Sequence, residues 1–332
     1  MNKILSKEEI VAISKLFSIE NCDGVRLIAE GNKNYNFEFI TNKGNYIVRL
    51  SSLQDNDVLK KRLYSQIEIL LELEKLSFPY KVPKPLKSSN GNYIEYLGGL
   101  PYWVYPKIEG LVYHDNSKVS IKELAKLIAE YHKTISLINP EINEGEFFSS
   151  YDELREWITD IECSKQGNGD KIDSYLKENV ATLINGFERM LSINFGTKKG
   201  ICHSDWYAGN FVYNNGKIIG LLDFDNYDIA PLEKDLAVAI QWHCFTKDNK
   251  WDEKKVNELI YEYEKINPLS DEQKLLFKDH IIQESLFASL FFSTKMIKVH
   301  EEKKLVLLKW AVESIKHMLE DLRLSEVNGG VK

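Results

Sequence analysis

Between Ile201 and Asp225 the chain reads ICHSDWYAGNFVYNNGKIIGLLDFD, which holds two groups of polar side chains: His203, Asp205 and Asn210, then Asp223 and Asp225. Asp205 stands two residues after His203 and five before Asn210. Between the groups the apolar runs FVY and KIIGLL meet at NNG, a turn signal, so the pattern predicts a β-hairpin flanked on both sides by chemistry. Gly209 marks the segment before it as loop, in which the polar groups can face one accessible pocket. Asn210 offers a neutral oxygen and Asp223 an anionic one. Hard oxygen donors of this kind suit Mg²⁺, which keeps several waters and takes one or two protein ligands beside nucleotide phosphates. A carboxylate upstream that binds no metal can orient a hydroxyl and accept its proton. Taken singly, the three would read as a turn-capping Asp, a turn Asn and a strand-end Asp.

The elements that must position these groups divide the chain near residue 105. Before that point VRLIA, YNFEFIT and NYIVRL are β-rich, VLKKRLYSQIEILLELEKL has helical periodicity, and strands marked by Pro and Gly run up to PYWVY. After it, VSIKELAKLIAEYHKTI, YDELREWITDIE, IDSYLKENVATLINGFERML and the chain from LEKDLAVAIQWH onward are helical, with SDEQ at Ser270 reading as a capping box. The expectation is an α+β chain with a sheet-based lobe over residues 1–105 and a mostly helical lobe over 106–332, sharing a cleft.

Composition narrows the function classes. The net charge of −7 over 332 residues argues against a nucleic-acid partner, which needs a basic face to displace counterions. The cysteines Cys22, Cys163, Cys202 and Cys244 show neither CxxC spacing nor a zinc-binding cluster, so a reducing, cytoplasmic setting is expected. The longest apolar run near the C-terminus, LFASLFF, is too short to span a bilayer, and no membrane partner is expected.

At the opening residues the chain resembles the aminoglycoside phosphotransferase and choline kinase-like family of the protein-kinase-like fold. HSDWYAGN matches that family's HxDxxxxN catalytic loop, and DFD stands where kinases carry DFG. VRLIAEGNKNYNFEFI looks like its first hairpin, NYIVRL like its third strand and APLEKDLAV like the segment after its metal-binding Asp, so the resemblance covers most of the chain. It implies a two-lobed fold with a small antiparallel-sheet N-lobe and a helical C-lobe, and ATP with Mg²⁺ as cofactors. Asp205 would be the catalytic carboxylate, with Asn210 and Asp223 as metal ligands. His203 would support the loop through hydrogen bonds, and Asp235 would hold it from behind. Asp225 replaces the Gly of DFG and inherits no role; contact with a second metal and bracing of the loop both stand open. Cys202 reads as a small buried strand residue rather than a nucleophile.

On the nucleotide side the resemblance places Arg49 on the α/β-phosphates, where many members carry Lys; Arg is always charged and can still clamp phosphate. The family's helical carboxylate partner has no clear counterpart, since Gln66 falls at its position and Glu68 lies two residues on. Gly31 and Asn34, in EGNKNY, would cover the phosphates. PYWVYPKIEG resembles the hinge, putting the Pro106 carbonyl and the Ile108 N–H against the adenine.

Two features imply a small acceptor. Residues 224–234 are all that separate Asp223 from Asp235, too few for a peptide-docking activation loop, and Tyr207 stands where protein kinases carry Lys. The segment from Glu141 to Glu162 carries eight acids and one base, Arg155; it reads as a solvated face or as a wall for a cationic acceptor. Trp206 and Tyr207 could stack on a sugar ring or pack in the core. The expected function is ATP- and Mg-dependent phosphorylation of a hydroxyl on an aminoglycoside or similar cationic amino alcohol. A metabolic kinase of homoserine or choline type and a non-catalytic spore-coat-type relative are the alternatives.

Overall fold

The computed structural model describes residues 4–30, 34–53, 56–138, 151–163, 171–195, 199–245, 250–293 and 301–329. Helix α1 (Lys7–Leu16) opens on a capping box in which the Ser6 hydroxyl accepts the Glu9 N–H and the Glu9 carboxylate accepts the Ser6 N–H. Strands β1 (Cys22–Glu30), β2 (Asn34–Thr41) and β3 (Tyr46–Ser51) follow the three β-rich segments of the sequence. Helix α2 (Asp57–Lys75) is capped by Asn56, and strands β4 (Glu95–Leu97) and β5 (Leu100–Pro106) complete an antiparallel sheet of order β1-β2-β3-β5-β4. One face of that sheet buries Phe37, Phe39, Val48, Leu50 and Val104 against Ile13 of α1. Helix α2 buries Ile69, Leu70 and Leu73, and the same helix also buries the polar residues Arg62, Ser65 and Gln66, the first and last of them one turn apart.

Short strand β6 (Leu111–Val112) follows Gly110, where φ is +157° and a side chain would meet Val212 and the Tyr213 carbonyl at 2.5 and 2.6 Å. Only glycine fits so close a backbone approach. Then come α3 (Ile121–Ile135), α4 (Tyr151–Cys163), α5 (Lys171–Glu178), α6 (Val180–Ser192) and strand β7 (Gly200–Cys202). The break between α5 and α6 falls at Asn179, whose side-chain amide donates to the Tyr175 carbonyl at 2.8 Å. The NNG hairpin forms as β8 (Phe211–Asn214) and β9 (Lys217–Leu221), with Asn215 and Gly216 at φ +49° and +75°, the left-handed pair that a two-residue hairpin turn requires. Strand β10 (Asp228–Ala230) pairs antiparallel with β7, and helices α7 (Glu233–His243), α8 (Glu253–Glu264), α9 (Asp271–Leu275), α10 (Phe277–Ser293) and α11 (Glu301–Gly329) finish the chain. The capping box read at Ser270 is present at the start of α9. Helix α10 packs on α6, α7 and α11, and Ile240, Ile281, Ile282, Val312 and Ile315 are buried there.

The chain divides into two compact units. Met1–Tyr113, Leu137–Gly145 and Gly209–Asp225 make one; His114–Ser136, Glu146–Ala208 and Asn226–Lys332 make the other. The first unit thus runs past residue 105 and takes in two segments expected in the C-terminal lobe, of which Gly209–Asp225 carries the hairpin. The reason lies in pairing: β8 hydrogen-bonds to β6, and Gly220 of β9 bridges to Lys81. Among the described residues no helix is long and apolar enough to cross a membrane.

Candidate active site

In the second unit, the loop after β7 is shaped by one buried carboxylate. Asp235, in the first turn of α7 and fully buried, accepts the backbone N–H groups of His203 and Ser204, each at 2.8 Å, and lies 3.2 Å from His132 Nε2. A carboxylate can only accept, so the His132 proton on that side sits on Nε2. Burial pushes the Asp235 carboxyl upward, but the bonds from His132 and the His203 backbone outweigh it and hold its pKa below the ordinary carboxylate value. At the second of those amides Ser204 adopts φ +61°, a left-handed conformation that costs a non-glycine residue of order 1 kcal/mol or more and persists only where the surroundings enforce it. The strained turn sets up Asp205, half-buried, whose N–H donates to His203 Nδ1 at 3.3 Å and whose Oδ2 accepts the Asn226 amide at 3.1 Å.

The far side of the loop is braced by groups that no motif announces. The Ala208 N–H donates to Asn116 Oδ1 at 2.9 Å, the Tyr207 hydroxyl to the His114 carbonyl at 2.8 Å, and His243 Nε2 to the Trp206 carbonyl at 2.6 Å. Burial holds His243 down to about 4, so it is neutral at physiological pH. Trp206 is fully buried among Tyr131 and His203, which makes it core rather than a stacking surface. Tyr207 is only partly buried and starts an aromatic row, with Trp242 at 5.4 Å and Trp310 stacked on Trp242 at 4.8 Å. Cys202 is buried under the Ala230 and Pro231 carbonyls, and burial raises its thiol well above the ordinary value, so it is no nucleophile at neutral pH.

In the first unit, Phe211 pairs with Leu221 and the Leu222 N–H donates to the Asn210 carbonyl at 2.8 Å. That register brings Asn210, just before β8, and Asp223, just after β9, to the same end of the hairpin. Asp223 has φ +59°, left-handed like Ser204. Its Oδ1 accepts Arg49 Nη2 at 2.7 Å, while the same nitrogen lies 2.5 Å from Asp225 Oδ2. Asp225 Oδ2 also accepts the Asn34 amide, its Oδ1 accepts the Gln66 amide at 2.8 Å, and its carbonyl accepts Arg62 Nε and Nη2 at 3.0 and 2.7 Å. Burial works against the Arg49 charge, but the attraction of Asp223 and then Asp225 outweighs it and raises the arginine further above its ordinary range. Glu68 is exposed on the outer side of α2, so of these two residues it is Gln66 that faces this group.

The donors fit Mg²⁺. Asp223 keeps 36 % of its side chain exposed and supplies an anionic oxygen beside Asn210, a donor set for an ion that fills its remaining positions with water and phosphate. Among the described residues no three His, Cys, Asp or Glu side chains converge as a metal-binding group, so a closed, all-protein site is absent there. Of the other nucleotide-side residues, Gly31 lies outside the described residues. Pro106 ends β5 opposite Tyr46, and with Ile108 it lines a cavity of about 430 Å³ under Phe78 and Lys81. None of Asn34, Arg49 or Asp223 borders that cavity, so it is not where this unit gathers its charged groups.

The fold is that of the kinase-like phosphotransferases. A family model described as the phosphotransferase enzyme family matches residues 24–269, and the chain belongs to that family. It is a small-molecule kinase in class. Curated relatives include a homoserine kinase of Rhizobium meliloti, 23% identical over 81% of this chain and 78% of that protein. Another is a homoserine kinase of Mesorhizobium japonicum, 24% identical over 81% and 80%. Solved structures with the same architecture include a spectinomycin phosphotransferase in complex with ADP and spectinomycin (TM-score 0.69, 16% identity, 96% of this chain and 99% of that one). An amicoumacin kinase in complex with AMP-PNP and Ca²⁺ has a TM-score of 0.66 and 15% identity, over 94% of each chain.

Proposed function

We propose that the chain transfers the γ-phosphoryl group of ATP, with Mg²⁺, to a hydroxyl of a small amine-bearing alcohol, homoserine being the first acceptor to test. The observation that carries this reading is the way Asp205 is held: a strained turn, two amides on Asp235 and the Asn226 amide on Oδ2 fix one half-buried carboxylate in a loop of HxDxxxxN pattern. In the proposed reaction Asp205 orients the acceptor hydroxyl and takes its proton as the oxygen attacks. Asn210 and Asp223 would hold Mg²⁺, whose charge, when bound, offsets that of the phosphates, and Arg49 would do the same from the protein side. The homoserine kinase relatives, matched across four-fifths of this chain, support a small amino-alcohol acceptor. The row Tyr207, Trp242 and Trp310, which starts two residues after Asp205, offers a face on which an acceptor carbon skeleton or ammonium group can lie.

The test is ADP release with a panel of homoserine, choline, spectinomycin and gentamicin, with and without EDTA. The reading expects release that depends on Mg²⁺ and is stimulated by an amino alcohol, homoserine foremost. Magnesium-dependent stimulation confined to the antibiotics would replace the acceptor class. No nucleotide binding by calorimetry would remove the catalytic reading altogether and favour a scaffolding role.

A further inference from the structure

Asp225 has more partners than any role inherited from its position explains. Its side chain is 14 % exposed and gathers Asn34 from β2, Arg49 from β3 and Gln66 from α2, while its backbone carbonyl takes Arg62 of the same helix. Gln66 is 3 % exposed and Arg62 8 %, so these α2 groups reach Asp225 from the buried face of the helix. That face brings no carboxylate to Arg49. At the matching position it presents an amide, which donates; the anion lies on Asp225, between amide and guanidinium. We infer that Asp225 is the positioning residue that fixes Arg49 for the nucleotide phosphates and ties it to α2, the carboxylate having moved from the helix to the residue after Phe224.

Charge accounting supports a lasting role for it. Arg49 now shares one nitrogen between Asp223 and Asp225. A cation bound at Asp223 withdraws that carboxylate, and Asp225 then remains as the anion that keeps a buried guanidinium in place, without which its burial would be costly. The two aspartates therefore differ in kind: Asp223 exchanges its partner on loading and Asp225 does not.

The inference rests on the nucleotide-binding reading, and the test separates the two. Binding of AMP-PNP is titrated by calorimetry at several Mg²⁺ concentrations for the wild type, Asp225→Asn, Asp223→Asn and the exchange variant Gln66→Glu with Asp225→Asn, which returns the carboxylate to α2 and keeps the amide–carboxylate pair and the net charge. Asp225→Asn should weaken AMP-PNP tenfold or more without shifting the Mg²⁺ midpoint, Asp223→Asn should shift that midpoint, and the exchange should recover most of the loss. Wild-type-like affinity in Asp225→Asn overturns the inference, as does an exchange variant that melts cooperatively yet binds no better than the single one. If Asp225→Asn fails to fold, the exchange variant decides against the wild type by the same affinity criterion. A wild type that binds no AMP-PNP overturns the nucleotide reading itself.

Discussion

Two loops flank the β8–β9 hairpin in sequence, and they are held by different means. Residues 203–208 are fixed through their backbone: Asp235, Asn116 and His243 bond to amides and a carbonyl. Residues 223–225 are fixed chiefly through side-chain charge, with Arg49 between two carboxylates and the Asp225 side chain spread over three elements, while Arg62 adds a charged hold on the Asp225 carbonyl. A backbone scaffold holds one geometry whatever is bound, which suits a group that must meet an acceptor at a set angle. Paired charges can exchange partners, which suits a place where a cation and phosphates come and go.

The largest effect should come from breaking the backbone scaffold. Asp235→Ala leaves two amides and His132 without their acceptor inside the core, and should cost about 3–5 kcal/mol of stability, read by urea unfolding. A loss under about 1 kcal/mol would show that the loop is held by something else. Acid should give the next largest effect. His243 and His280 are each held down to about 4 by burial, so between their ordinary value near 6.5 and that value the unfolded chain binds protons that the native chain refuses. The sign is therefore destabilising as pH falls, with nothing lost above about pH 7 and roughly 2 kcal/mol lost per imidazole by pH 5. His243→Asn should make the slope between pH 7 and 5 shallower; an unchanged slope would mean that His243 titrates normally. The smallest effect belongs to exposed charge. On α4, Asp152, Glu153, Glu156, Asp160 and Glu162 all face solvent, while Leu154 and Ile158 are buried. Neutralising Glu153, Glu156 and Asp160 together should raise KM for a cationic acceptor by no more than about threefold, and only at low salt. A larger, salt-resistant rise would make that face part of the acceptor site.

What could be read from sequence follows the same division. His203, Asp205, Asn210, Asp223 and Asp235 stand close together in the chain in a fixed order, and NNG and SDEQ carry their own local geometry, so these were legible. The groups that brace the loop were not. Asn116 lies 92 residues from Ala208 and His243 lies 37 from Trp206, and neither sits in a pattern tied to the loop. Gln66 could be placed beside the nucleotide groups but not paired, because its partner is 159 residues away. Trp206 and Tyr207 are neighbours of one chemical type, yet one is core and the other partly exposed; only the direction in which the loop turns decides between them.

The central claim is that Asp205 acts on the acceptor while Arg49, Asp223 and Asp225 serve the nucleotide, and Asp205→Asn tests it most directly. The substitution keeps size and an oxygen for the Asn226 amide but cannot take a proton. With a confirmed acceptor, kcat should fall by roughly 10²–10⁴, and the affinity for Mg·AMP-PNP should stay within about twofold of the wild type. Full activity in both Asp205→Asn and Asp205→Ala, or loss of nucleotide binding together with activity in a folded variant, would contradict the account.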